Sequence, residues 1–309
     1  MIDNITLATD GSEDARLAMR AAVDLAERTG AELSVVHAWR VVPLYSNSQD
    51  AAWDDYAQIY EREARRVLGS QVDAIEALGG TVASAHLLKS SPIDAILDLC
   101  EETMPDLLVM GSRGRGRLRR ALVGSVPEGV AHHIRCPVLV VRGVDGGWPP
   151  DRVVAGHDGS EDAQSAAEFA ASIGGLFDAR CVLVRAHQNP PEPAGGWSAE
   201  DRARLDRVAL RVEENLKDRA EDLGKTSNKR PEARVIGSDP TLSLLQVAEE
   251  EEESRTLLAV GSRGFGVTRR TRLGSVSTNL LRVARGPVLI YPHQTMVKRR
   301  GKMADREMR

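Results

Sequence analysis

Apolar and polar positions along this chain fall into two kinds of block, short continuous apolar runs and longer stretches with helical spacing. Ile5-Thr6-Leu7-Ala8 is of the first kind. Glu13 to about Arg28 is of the second, with Leu17, Ala21 and Leu25 set against Arg20 and Asp24, and Thr29-Gly30 supplies a stop. The series continues with a strand-like Leu33 to Val36, a helical segment near 51–78 ended by Gly79-Gly80, and a strand candidate from Val82 to Leu88. Pro92 sits where a helix through about Glu102 begins, a position that needs no N–H. Leu107 to Met110 and Val138 to Val141 are uninterrupted apolar runs, the pattern of strands covered on both faces of a parallel sheet. Strands alternating with helices predict an α/β architecture with right-handed crossovers.

The pattern is written twice. Ala8-Thr9-Asp10-Gly11-Ser12-Glu13-Asp14-Ala15 returns 148 residues later as Gly156-His157-Asp158-Gly159-Ser160-Glu161-Asp162-Ala163. Gly111-Ser112-Arg113-Gly114, Gly124-Ser125-Val126 and Pro137-Val138-Leu139 return 150 residues later as Gly261-Ser262-Arg263-Gly264, Gly274-Ser275-Val276 and Pro287-Val288-Leu289. Strand candidates of the second copy lie near 153–156, 181–186, 233–236, 257–260 and 288–291. The period is too long for a solenoid, so each copy reads as a whole domain. The expected fold is two tandem Rossmann-like domains, each a five-stranded parallel sheet in the order 3-2-1-4-5 flanked by helices. We place the domains at 1–143 and 152–293, joined by the Gly/Pro-rich linker 144–151. A basic tail, 294–309, lacks apolar periodicity and is expected to be disordered.

Composition narrows the function classes. With 42% apolar and 28% charged residues the chain is an ordinary globular protein, and its net charge of −4 supplies no global field to recruit nucleic acid or an anionic membrane. No apolar run approaches the roughly 20 residues that span a bilayer. The N-terminus lacks a basic n-region and an apolar h-region, and Cys100, Cys136 and Cys181 form neither a disulfide framework nor a metal motif, so a cytoplasmic location is expected.

In doubly wound sheets, ligands sit beyond the carboxyl ends of strands at a switch point. Strand one ends at Asp10-Gly11-Ser12, and strand four ends at Gly111-Ser112-Arg113-Gly114; in a 3-2-1-4-5 order their loops face each other. Glycines there let backbone approach a ligand closely, and Gly124-Ser125-Val126 at a helix start aims N–H groups and the positive dipole end at one point. This is anion chemistry, suited to phosphate. Two plainer readings stand beside it: Ser125 as a simple N-cap, and Asp10 with Glu13 (likewise Asp158 with Glu161) as a capping box. The rival role for Asp10 and Asp158 is contact with a nucleotide or with a divalent ion, Mg²⁺, bridging to phosphates. Arginines 115–120 and the matching segment 265–272 add either phosphate contacts or a solvated basic loop. No interleaved aromatics accompany them, which disfavours nucleic acid.

Gly111-x-x-Gly114, nine residues, Gly124-Ser125, repeated as Gly261-x-x-Gly264, nine residues, Gly274-Ser275, resembles the ATP-binding signature of universal stress proteins. Asp10-Gly11-Ser12 and Cys136-Pro137-Val138-Leu139-Val140-Val141 are similar to that family too, and the likeness extends to about residue 292. The resemblance implies ATP as the ligand. Adenine and ribose would lie against Ala8, Thr9, Asp10, Ala38 and Met110, and phosphates against Gly111, Gly114, Gly124, Ser125 and Val126, with Arg113 joining the set. The matching positions are Gly156, His157, Asp158, Ala186, Val260, Gly261, Arg263, Gly264, Gly274, Ser275 and Val276. It also implies pairing of two such domains through their last strands, here within one chain, and is compatible with a homodimer. His157 for Thr9 and Pro127 for Ser277 are departures that put equal affinity of the two sites in doubt.

Catalysis is the weaker expectation. Gly224-Lys225-Thr226 lacks the leading glycine of a P-loop, no nucleophile elbow or H-E-x-x-H appears, and no base to activate water is recognisable. His132-His133 and the Glu249–Glu253 run lack metal-ligand spacing, the latter reading as a solvated helix end. The expected function is an ATP-binding stress-response regulator, with a slow Mg-ATP hydrolase or nucleotidyl-transfer enzyme, and a nucleic-acid or protein-interaction module, as the alternatives.

Overall fold

The computed structural model describes residues 1–41, 52–114, 123–143, 147–226, 229–251, 254–264 and 273–293. The arginine loops 115–120 and 265–272, the whole expected tail 294–309 and part of the linker lie outside these residues. The chain divides into two compact units, Met1–Val144 and Asp145–Gln294.

The first unit runs β1 (Asn4–Ala8), α1 (Glu13–Thr29), β2 (Glu32–Trp39), α2 (Ala52–Ala77), β3 (Val82–Lys89), α3 (Pro92–Thr103), β4 (Leu107–Gly111), α4 (Ser125–His133), β5 (Val138–Val141). Its strands are all parallel, in the order β3-β2-β1-β4-β5. The second unit repeats this as β6 (Arg152–Gly156), α5 (Glu161–Leu176), β7 (Arg180–Ala186), α6 (Ala199–Thr226), β8 (Glu232–Ile236), α7 (Pro240–Glu249), β9 (Thr256–Gly261), α8 (Ser275–Val283), β10 (Val288–Tyr291). Its order is β8-β7-β6-β9-β10, again parallel. The α/β, doubly wound class read from the pattern is the observed one.

The core follows from the apolar runs. Leu107, Leu108 and Val109 on β4, and Leu257, Leu258 and Ala259 on β9, are buried, as strands clothed by helices on both faces require. Helix α1 turns Ala15, Ala18, Ala22 and Leu25 inward; the small residues bring its axis close to the sheet. Proline opens α3 and α7 as Pro92 and Pro240, behind the caps Ser91 and Asp239.

One expectation changes. The glutamate run past α7 is not merely solvated: Glu250 pairs with Arg234, Glu251 with Arg180 at 2.5 Å, and both face the buried Arg152 at 3.7 Å. Arg152 in turn donates to the Val247 carbonyl at 2.8 Å, so the run clamps the end of α7 against the starts of β6 and β7. Cys181 is half-buried, and burial pushes its thiol up to about 12, which keeps it chemically quiet. Among the described residues no cluster of His, Cys, Asp or Glu has metal-binding geometry, and no helix is long and apolar enough to cross a membrane.

Candidate functional site

Each unit carries a cavity at the carboxyl ends of its two central strands, about 620 Å³ in the first and about 360 Å³ in the second. Each described residue that the resemblance assigns to a nucleotide lines one of them. Ala8, Thr9, Asp10, Ala38, Met110, Gly111, Arg113, Gly114, Gly124, Ser125 and Val126 face the first. Gly156, His157, Asp158, Ala186, Val260, Gly261, Arg263, Gly264, Gly274, Ser275 and Val276 face the second.

The loop after β1 is a built turn. Gly11 takes φ +72°, and Gly159 φ +96°, in the left-handed region that side chains avoid. Asp10 Oδ1 accepts from the Ser12 N–H at 3.0 Å, and Asp158 Oδ1 from that of Ser160 at 2.9 Å. The capping-box reading of these aspartates is therefore wrong. The helices start at Glu13 and Glu161, so the N-caps are Ser12 and Ser160, whose hydroxyls accept from the N–H of Ala15 and Ala163. Asp10 and Asp158 stand two residues too early to cap and stay at the cavity wall. Ser12 also donates to the Arg113 carbonyl at 3.1 Å, tying the loop after β1 to the loop after β4.

The glycines of the β4 loop answer to close approach. A Cβ on Gly114 would meet Asp10 Oδ2 at 2.5 Å, and one on Gly264 would meet Asp158 Oδ2 at the same distance. At the helix starts Gly124 and Gly274 are the N-caps, with no side-chain cap bond, so Ser125 is not a cap but the first helical residue. The Gly124 N–H donates to the Ser112 carbonyl at 2.7 Å and is not offered to the cavity. The donors left by helix geometry are those of Ser125 and Val126, Pro127 having none; in the second unit Ser277 adds a third. Ser277 Oγ itself donates to the Gly261 carbonyl at 2.8 Å.

His157 replaces Thr9 without changing the hydrogen-bond logic. Thr9 Oγ1 accepts from the Gly11 N–H at 3.2 Å and donates to Gln71 Oε1 at 2.9 Å. His157 Nδ1 accepts from the Gly159 N–H at 3.1 Å, which assigns the proton to Nε2, and this faces Gln164 Oε1 at 3.1 Å. Burial pushes the His157 pKa down, against Gln164 and Asp158, which raise it; Arg185 and Arg219 push it further down. The ring is thus held neutral, as its acceptor role requires.

Sequence reasoning missed several wall residues. His37, buried on β2, donates from Nδ1 to the Thr9 carbonyl at 2.8 Å and lines the first cavity. Pro92 and Ile96 of α3, and Pro240 and Leu244 of α7, close the corresponding walls. Their recurrence 148 residues apart was a readable signal. Behind the wall, Asp14 of α1 is buried and accepts from Ser112 Oγ at 2.6 Å and from Arg113 Nε at 3.1 Å. Arg142, buried beside it, has its pKa lowered to about 10 by burial, with Asp14 opposing and Arg113 reinforcing the fall. In the second unit Asp162 occupies the place of Asp14 and accepts from His293 Nδ1.

Known proteins agree with this architecture. Universal stress protein Rv2005c of Mycobacterium tuberculosis is 30% identical over 307 residues, covering 93% of this chain and 96% of that one. Universal stress protein MJ0531 of Methanocaldococcus jannaschii is 30% identical over 138 residues, 45% of this chain and 81% of its own. A crystal structure of a universal stress protein from Archaeoglobus fulgidus shares the fold at a TM-score of 0.65 and 23% identity, over 94% of this chain and 98% of that chain. The universal stress protein family itself matches twice, over residues 1–142 and again over 150–292, and the chain is a tandem member of that family.

Proposed function

We propose that the protein is an ATP-binding regulator with one adenine-nucleotide site in each domain, 1–143 and 152–293, whose ligand state sets its conformation or assembly. The observation that carries this reading is the same cradle built twice: a helix N-terminus and a glycine pressed on an aspartate, both lining one cavity. Cavities of this size suit a nucleotide. Phosphates would take the N–H groups of Ser125 and Val126, or of Ser275, Val276 and Ser277, with the helix dipole favouring the negative charge. The nucleoside would lie toward Ala8, Thr9, Ala38 and Met110, or Gly156, His157, Ala186 and Val260. Asp10 and Asp158, on the cavity walls, would meet a Mg²⁺ carried on the phosphates, an ion that would keep most of its waters. Regulation needs only that ATP bind one state of the chain better than another.

The test is to identify any nucleotide that co-purifies, then titrate ATP, AMP and single-stranded DNA calorimetrically while following phosphate release. ATP binding is expected at up to two sites per chain. Ser125→Asp and Ser275→Asp place a carboxylate in the anion cradle, a change that helix starts otherwise favour. Each is expected to weaken ATP at its own site at least tenfold without loss of thermal stability. Absence of ATP binding by the wild-type chain refutes the reading. Turnover abolished by Asp10→Ala with Asp158→Ala makes it an enzyme instead, and binding of DNA alone makes it a nucleic-acid module.

A further inference from the structure

The two sites differ at the arginine of the repeated Gly-Ser-Arg-Gly. In the first unit Asp14 holds it by two bonds: Arg113 Nε donates to Oδ2 at 3.1 Å, and Nη2 to Oδ1 at 3.3 Å. In the second unit the equivalent carboxylate is engaged from elsewhere. His293, two residues beyond the end of β10, donates from Nδ1 to Asp162 Oδ2. The first unit has Gly143 at that position and no imidazole to offer. Arg263 makes no hydrogen bond or ion pair among the described residues, and its Nε is buried without an acceptor. Among the described residues no carboxylate engages this guanidinium as Asp14 engages Arg113, so its outer N–H groups are left for an anion in the cavity it lines. It lines that cavity between Gly261 and Gly264, on the same wall as Ser275 at the start of α8.

We infer that Arg263 grips the phosphate chain in the second site, that His293 frees it to do so by occupying Asp162, and that Asp14 withholds Arg113 from the same task in the first site. This rests on the nucleotide reading above and goes beyond it in making the sites unequal. The second discriminates by phosphate number, preferring ATP to AMP more strongly than the first. His293 is a positioning residue that touches no ligand.

Site-resolved affinities of the full-length chain are read from hydrogen-exchange protection of the first turns of α4 and α8 during ATP and AMP titrations. Arg263→Ala is expected to lower the ATP-over-AMP preference at α8 about tenfold, the scale of a lost charge-assisted bond. Arg113→Ala lowers the preference at α4 by much less, and equal losses overturn the inference. His293→Ala lets Asp162 capture Arg263 and reproduces the loss at α8; adding Asp162→Asn, which weakens the capture, restores the preference. A purely structural role for His293 predicts no such rescue, and failure of the rescue in a folded double variant counts against the assignment. An unchanged ratio in Arg263→Ala, with ATP still protecting α8, overturns this inference while leaving the nucleotide reading intact. Protection by neither nucleotide in the wild type overturns the nucleotide reading itself.

Discussion

Replacing Gly111 by alanine probes the contact that fixes the floor of the first site. A Cβ there would stand 2.7 Å from the carbonyl carbon of Asp14, 2.8 Å from the Ala15 nitrogen and 2.9 Å from the Asp14 oxygen. All three atoms are backbone in the first turn of α1, so no side chain can rotate away. Restoring an ordinary contact requires α1 to withdraw from β4 by about 0.7 Å in a close-packed interior that yields little. Asp14 would withdraw with it, straining its bonds to Ser112 and Arg113. Overpacking of this kind costs roughly 1–3 kcal/mol, and the rigid partner places Gly111→Ala near 3 kcal/mol. The repeat supplies an internal control. At Gly261 the nearest atoms, on Asp162, stand at 3.2 Å, so Gly261→Ala should cost about 1 kcal/mol or less. Native-state hydrogen exchange, read separately at the amides of β4 and β9, gives each domain its own opening free energy. At 1.36 kcal/mol per decade the expected acceleration is about 150-fold at β4 for Gly111→Ala, and about fivefold at β9 for Gly261→Ala. Equal acceleration by the two substitutions, or the reverse order, would refute the argument that a fixed backbone contact sets the cost.

Asp14→Ala strips the buried Arg142 and the Arg113 pair of their shared carboxylate, and is expected to destabilise the first domain by about 3 kcal/mol or more; a loss under about 1 kcal/mol in urea titrations sinks that assignment. His157, held below its ordinary value of about 6.5 by burial, binds a proton less readily in the folded chain than in the unfolded one. The second domain is therefore fully stable above about pH 6.5 and loses stability as pH falls through that value toward the lower folded pKa. His157→Thr, the residue of the first copy, should abolish that part of the slope in urea titrations at a series of pH values. An unchanged slope would assign the acid sensitivity to other groups.

The architecture was legible because its signals are local and strong. Uninterrupted apolar runs such as Leu107–Met110 announce buried parallel strands, and duplication doubles every such signal. The walls of the cavities were legible for the same reason, through glycines at fixed spacing. What escaped was chemistry decided by one or two residues of register. Asp10 and Glu13 have capping-box spacing, yet the helix begins at Glu13, so Ser12 takes the cap and Asp10 is left to the cavity. Asp14 looks like any acidic residue in a first helical turn, where the macrodipole welcomes it. Its burial against Ser112 and Arg113 depends on β4 lying beside β1, a contact 98 residues away in sequence. The exchange of partners between Asp14 and Asp162 was still less visible, since Arg142 and His293 do not occupy aligned positions.

The bond between Asp162 and His293 also bears on where the second domain ends. The family match closes at residue 292, one residue before the imidazole. A fragment cut at that boundary would keep every strand, every helix and the whole glycine signature, yet would lose the imidazole that donates to Asp162. By the argument above, its arginine would then be captured as Arg113 is. On the inference above, the boundary that suffices for recognising the fold is one residue too short for its chemistry.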